Sequence, residues 1–214
     1  MERVRTSRVR VAQGNILARH IAEHKMIYLM LSALFIIGFI IGSINAAFVN
    51  EEVRNESKNY ILEFVQSLKT EEIDSNILLK ESISTNIKPI IDIMLFGLVI
   101  VGIPLIFLYI GIYSYSIGFT VTSILASLGN SKGISFIFTL MIPQELVLLP
   151  TIMVMSVNAI LFSKVILNPR NVNLKAELIK YTAIFVVGLL IVLGTSLFET
   201  YVGSNLIKAV VKIM

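Results

Sequence analysis

The chain has no cysteine and no tryptophan among its 214 residues, only five prolines, and little charge for its length. Without cysteine there is no disulfide framework, no thiol nucleophile and no thiolate metal site. Charged residues make up 15% of the chain against 56% hydrophobic, and the mean hydropathy is +0.84. A water-soluble domain carries about 25% charged residues, so this chain lacks the polar groups to cover a surface. The charge it has is uneven, most of it in residues 2–25 and 51–92. These shortages exclude a soluble domain and point to an all-α, polytopic membrane helical bundle. The net charge of +4 does not call for a nucleic-acid partner, because Lys and Arg are spread along loops as in oriented membrane proteins.

What is present orders itself into spans. Residues 1–26 form a basic arm, with Arg3, Arg5, Arg8, Arg10, Arg19 and Lys25 against Glu2 and Glu23. Within it Val11, Ile16, Leu17 and Ile21 recur at helical spacing, the pattern of a short amphipathic helix beside a membrane. Residues 27–48 carry no charge and meet the roughly 20 residues needed to cross a bilayer. The small residues Ala46 and Ala47 invite a cleavage site. The apolar run, however, exceeds the roughly 7–15 residues of a signal peptide, and an uncleaved anchor is expected.

Residues 49–92 are the one sizeable polar segment, with nine acidic and five basic residues. Tyr60, Ile61, Phe64, Val65 and Leu68 make one helical stripe; Leu79, Ile83 and Ile87 make a second, ending at Pro89. Two amphipathic helices joined by a charged turn at 69–76 are expected, their stripes packed on neighbours more readily than on a partner. Residues 93–131 are uncharged and too long for one span, so a tight turn at 111–118 (GIYSYSIG) is expected between spans two and three. A loop at Gly129–Gly133 follows. Residues 134–163 carry a single charge, Glu145, between Pro143 and Pro150. Residues 164–180 are polar and basic, 181–198 make the last span, and 200–214 form an amphipathic tail.

That reading gives about five transmembrane helices, with 93–199 holding the last four. The positive-inside rule supports the count. With the N-terminus inside, the inner segments hold ten Lys and Arg residues, whereas the outer ones hold eight beside ten acidic residues. The segment 49–92 and the tail are then extracytoplasmic.

The search for chemistry returns little. His20 and His24 stand four apart, but no third ligand completes a metal site and their neighbours are cationic; a solvated helix face is the reading. No nucleophile elbow, phosphate loop or zinc-protease motif occurs. No pair of acids lies within the apolar runs. No catalytic, cofactor-binding or metal-ligating residues are therefore expected, and the protein reads as not an enzyme.

One constellation stands out, Pro143-Gln144-Glu145 followed by Pro150. A carboxylate at bilayer depth costs about 2–3 kcal/mol on insertion scales and is a functional candidate by default. Pro143 suits the first turn of a helix, and the positive helix end would favour Glu145 there. Residues 134–142 would then be a short or re-entrant element before the fourth span; a single kinked helix is the alternative. Gly97, Gly102, Gly111 and Gly118 punctuate spans two and three, and small residues let membrane helices approach closely.

These residues carry a resemblance. The run Asn86, Gly97, Gly102-Ile103-Pro104, the segment Ile117-Gly118-Phe119-Thr120-Val121, Leu128-Gly129, and Pro143-Gln144-Glu145 with Pro150 resemble the stage II sporulation protein M family of endospore-forming bacteria. The likeness extends from the basic arm to Phe198-Glu199-Thr200-Tyr201. It implies a non-enzymatic role in forespore engulfment: a multi-pass protein in the mother-cell membrane at the septum that anchors and localises peptidoglycan-degrading partners, the stage II sporulation proteins P and D. The resemblance implies no cofactor. A transporter or channel subunit using the broken helix around Glu145 is the alternative, opposed by the scarcity of polar residues in the spans.

Overall fold

A computed structural model describes residues 16–70, 75–169 and 173–203. Among them the chain is helical almost throughout and contains no strand. A short helix α1 (Ile16–Glu23) turns at His24 into α2 (Lys25–Phe48). Then come α3 (Glu51–Thr70), α4 (Ser75–Gly97) and α5 (Gly102–Leu128). Helix α6 (Asn130–Phe136) passes through a π-helical segment (Ile137–Met141) into α7 (Ile142–Leu167). Helix α8 (Leu174–Phe198) ends in a second π-helical segment (Glu199–Gly203). The arginines of the basic arm at 3–10, Val11, the 71–74 part of the charged turn and the tail beyond Gly203 lie outside the described residues.

Four helical stretches are long and apolar enough to cross a membrane: Lys25–Phe48, Gly102–Leu128, Asn130–Leu167 and Leu174–Tyr201. Cross-helix contacts fix their directions. Leu34 faces Gly111, Gly38 faces Ser114 and Ser43 donates to the Gly118 carbonyl at 3.2 Å, so α2 and α5 lie parallel. Helix α4 runs the other way. It meets α8 at Asn86 with Ser196 and again at Met94 with Tyr181, whose hydroxyl donates to the Met94 carbonyl at 2.7 Å. It meets α7 in parallel, through Asn86 with Gln144 and Gly97 with Ala159. Helices α2, α4, α5, α7 and α8 therefore alternate in direction through one bundle. Its centre is a layer of fully buried side chains: Leu31, Ile90, Ile93, Ile106, Ile110, Ile152 and Phe185.

Three expectations are corrected. The turn at 111–118 does not form; α5 passes straight through it. A Cβ at Gly118 would fall on the Phe39 carbonyl and one at Gly42 on the Tyr115 backbone, so Gly118 serves close packing against α2 and not a turn. The reversal lies at 98–101, where Leu98 and Val99 donate back to Leu95 and Phe96 at 3.1 and 3.3 Å. The second amphipathic helix does not end at Pro89 either. It runs on to Gly97, because its apolar end is buried among α7 and α8 and packing outweighs the one lost N–H bond.

The third correction concerns Pro143. It opens no free helix end, since the chain stays helical from Asn130 to Leu167. The π-helical segment widens the ladder there, with Ile142 donating to the Ile137 carbonyl, and so accommodates the proline's missing donor. Of the two alternatives, the continuous helix is the one observed.

Outside the bundle, α3 lies across the ends of α5 and α6. Val65, Ile124, Phe136 and Ile137 form a second small core there, with Phe64 edge-on to Phe136 at 6.4 Å.

Candidate functional site

The chain's polar side chains gather where α4, α7 and α8 meet. Asn86 is 1% exposed at the centre. Its amide Nδ2 lies 3.2 Å from Ser82 Oγ, 3.1 Å from Ser196 Oγ and 3.1 Å from Glu199 Oε2. Two hydrogens are thus shared among three acceptors. The Asn86 carbonyl oxygen accepts from Gln144 Nε2 at 2.5 Å, and Ser82 donates to Glu199 at 2.5 Å. Thr200, fully buried, donates to the Ser196 carbonyl. A buried polar group left unpaired costs about 1–3 kcal/mol, so this network holds three helices in one register.

Glu145 is the next residue along from Gln144 but faces a different helix. Its two oxygens accept from the Tyr113 hydroxyl of α5 at 3.3 and 3.1 Å. It stands one turn past the π-helical segment, not at an open helix end, so Tyr113 rather than a helix dipole satisfies it. Neither Glu145 nor Glu199 has a salt bridge among the described residues.

Both glutamates open onto one groove of about 640 Å³. The outlying α3 supplies Glu56, Tyr60 and Phe64 to one wall; Phe119 and Ser123 of α5 and Phe136, Leu140 and Gln144 of the α6–α7 helix supply the others. The sequence placed no two acids together in the apolar runs. The structure does so across 54 positions, because α7 and α8 are antiparallel and both reach the groove with their polar ends.

The remaining candidates fall into place by contact. Gly97 leaves room for the Tyr181 hydroxyl and Ala159, and Gly102 for the Phe96 carbonyl. Pro104 sits in the first turn of α5, where no hydrogen bond is lost. Gly129 ends α5 with φ 79°, a left-handed backbone value that favours glycine. A Cβ at Gly111 would meet nothing closer than a Leu34 methyl at 3.8 Å, and Pro150 lies inside α7. Sequence reasoning missed Ser82, Tyr113, Ser196 and the role of Glu199. Glu199 was legible only as an acid closing the last apolar run. It also missed the small face of α2, where Gly38, Gly42 and Ala46 are buried. At the opposite end, His20 Nδ1 lies 3.0 Å from the Tyr28 hydroxyl.

The stage II sporulation protein M family model matches residues 31–204, most of the chain, from within α2 to the end of α8. The chain belongs to this family. No curated protein and no solved structure matches it. As a stage II sporulation protein M family member it is a sporulation-related membrane protein, and its polar network, glycine contacts and groove all lie within the matched span.

Proposed function

We propose that the chain is a non-enzymatic membrane anchor that localises septal peptidoglycan-degrading proteins during forespore engulfment, with the stage II sporulation proteins P and D as partners. The family match over residues 31–204 carries this reading. It is supported by an architecture with a broad apolar bundle and an outlying helix, α3, that holds Glu51, Glu52, Glu56 and Glu63 beside Arg54, Lys58 and Lys69. We propose five crossings, α2, α4, α5, α6–α7 and α8, in keeping with their alternating directions. The basic N-terminal arm and the 98–101 turn then lie in the mother-cell cytoplasm, and α3 lies outside, toward the septal wall.

Deletion of the gene, scored by microscopy of sporulating cells, tests the reading. An arrest just after septation with the septal wall persisting is expected. Normal engulfment with altered solute flux overturns it in favour of a transporter subunit, the second reading. The groove with two acids beside a π-helical segment is the observation that favours that alternative.

A further inference from the structure

The groove beneath α3 has a chemistry of its own. Three carboxylates, Glu56, Glu145 and Glu199, line it, and among the described residues no lysine, arginine or histidine does. Aromatic rings of Tyr60, Phe64 and Phe119 supply walls. Glu145 and Glu199 are held in place by Tyr113 and by Ser82 with Asn86, so they are ordered before anything binds.

We infer that this groove is a docking site for a basic, apolar-flanked peptide segment of an extracytoplasmic partner, whose Arg or Lys reaches the Glu145–Glu199 pair between the aromatic walls. Charge complementarity selects the occupant. Partly desolvated acids that meet no counter-charge among the described residues favour a cation strongly, and ring faces favour it further, arginine above all. A volume of about 640 Å³ is that of a ligand cleft, far beyond the roughly 30 Å³ share of one water, so a peptide segment suits it better than a bare ion. An anionic lipid headgroup is repelled. The inference rests on the anchor reading only for the side of the membrane on which α3 lies.

The test uses the full chain in zwitterionic nanodiscs and a short fluorescent peptide of alternating leucine and arginine, read by anisotropy against empty discs. The paired substitution Glu145→Gln with Glu199→Gln keeps both hydrogen-bond acceptors and is expected to weaken binding at least about tenfold, equivalent to about 1.4 kcal/mol. Tyr60→Ala removes a ring that is 72% exposed and outside the polar network; it is expected to weaken binding roughly threefold. The same peptide with glutamate in place of arginine should not bind. Unchanged affinity in the paired variant overturns the inference. If that variant does not fold, unchanged affinity in Tyr60→Ala overturns it instead. Displacement of the peptide by tetramethylammonium or spermidine at lower concentration than unlabelled peptide also overturns it, in favour of a small-cation site. The deletion phenotype judges the anchor and the binding curve judges the groove, so either can fail without the other.

Discussion

The side-chain amide of Gln144 donates to the side-chain carbonyl of Asn86 at 2.5 Å, joining α7 to α4 at the point where Asn86 also reaches α8. One asparagine therefore sets the mutual height of three helices. Interhelical hydrogen bonds in membranes average about 0.6 kcal/mol, but here several share one buried residue.

Replacing Asn86 by leucine strands Gln144 and Ser196 and removes a donor from Glu199. A loss of about 1–3 kcal/mol in stability is expected, measured as the thermal midpoint of the purified protein in detergent. Ser82→Ala, which removes one donor at the edge of the network, should cost less. A larger loss in Ser82→Ala than in Asn86→Leu would show that Asn86 is not the hub.

The glycines divide by what an added Cβ would meet. Gly118→Leu and Gly42→Leu drive atoms into the backbone of the facing helix and are expected to lower the amount of folded protein in membranes severalfold. Gly111→Ala places its methyl group in ordinary van der Waals contact with Leu34, 3.8 Å away, and should leave abundance unchanged. Quantitative membrane blots decide; equal abundance of all three would mean that α2 and α5 are not packed as described.

Glu145 and Tyr113 form a pair that a double-mutant cycle can isolate. Tyr113→Phe and Glu145→Leu each remove the same hydrogen bond, so their costs of about 1 kcal/mol each should not add in the double variant. Glu145→Gln preserves an acceptor and should stay within about 0.5 kcal/mol of the parent. Strict additivity of Tyr113→Phe and Glu145→Leu would break the pair.

Thiol labelling tests the direction of the helices. In this cysteine-free chain, Ile100→Cys in the 98–101 turn should behave like Asn171→Cys and resist an impermeant reagent in intact cells, whereas Ser57→Cys in α3 should label. Tyr115→Cys, packed along α2, should resist the reagent even after the membrane is permeabilised. Labelling of Ile100→Cys in intact cells would reverse the bundle.

A pH effect is expected at the other end. Burial, then the neighbouring His24 charge, hold His20 below the usual histidine range, while a hydrogen bond to Asn158 and the nearby Glu23 pull it back up. The folded state then prefers the neutral ring, and the unfolded chain binds the proton more readily. The contribution of His20 is therefore intact above the ordinary value of about 6.5 and is lost as pH falls below it. NMR titration of labelled histidine should show the midpoint rising in His24→Gln. An unmoved midpoint would assign the shift to burial alone.

The sequence revealed the first span and the last two better than the second and third, which it placed together in 93–131 where the structure has the end of α4 and one long helix, α5. Long uncharged runs signal membrane helices because a bilayer offers no partner for bare backbone. The run at 111–118 misled because glycine beside serine and tyrosine marks a turn in water yet a close helix contact in lipid. The true reversal had its own signal: Gly97 closes α4 and Pro104 stands in the first turn of α5, the usual asymmetry of helix ends. Asn86, Gln144 and Glu145 could be singled out as polar residues in apolar surroundings. Their partners could not, since Ser82, one turn from Asn86, Tyr113, 32 positions from Glu145, and Ser196, 110 positions from Asn86, look like ordinary helix residues until the fold brings the helices together.

The parallel packing of α2 on α5 has a consequence for how the protein is made. Two helices that pack side by side in the same sense must be joined by a returning segment, and here that segment is α4, which carries Lys80, Glu81, Lys88 and Asp92. As the ribosome delivers the chain, α2 has no mate until α5 emerges, and α4 partitions poorly into lipid by itself. The polar residues that Asn86 needs arrive with α7 and α8, last of all. On the proposed five crossings, assembly then holds α4 in waiting until synthesis is nearly complete, and a chain released before Glu199 is expected to leave α4 unsecured.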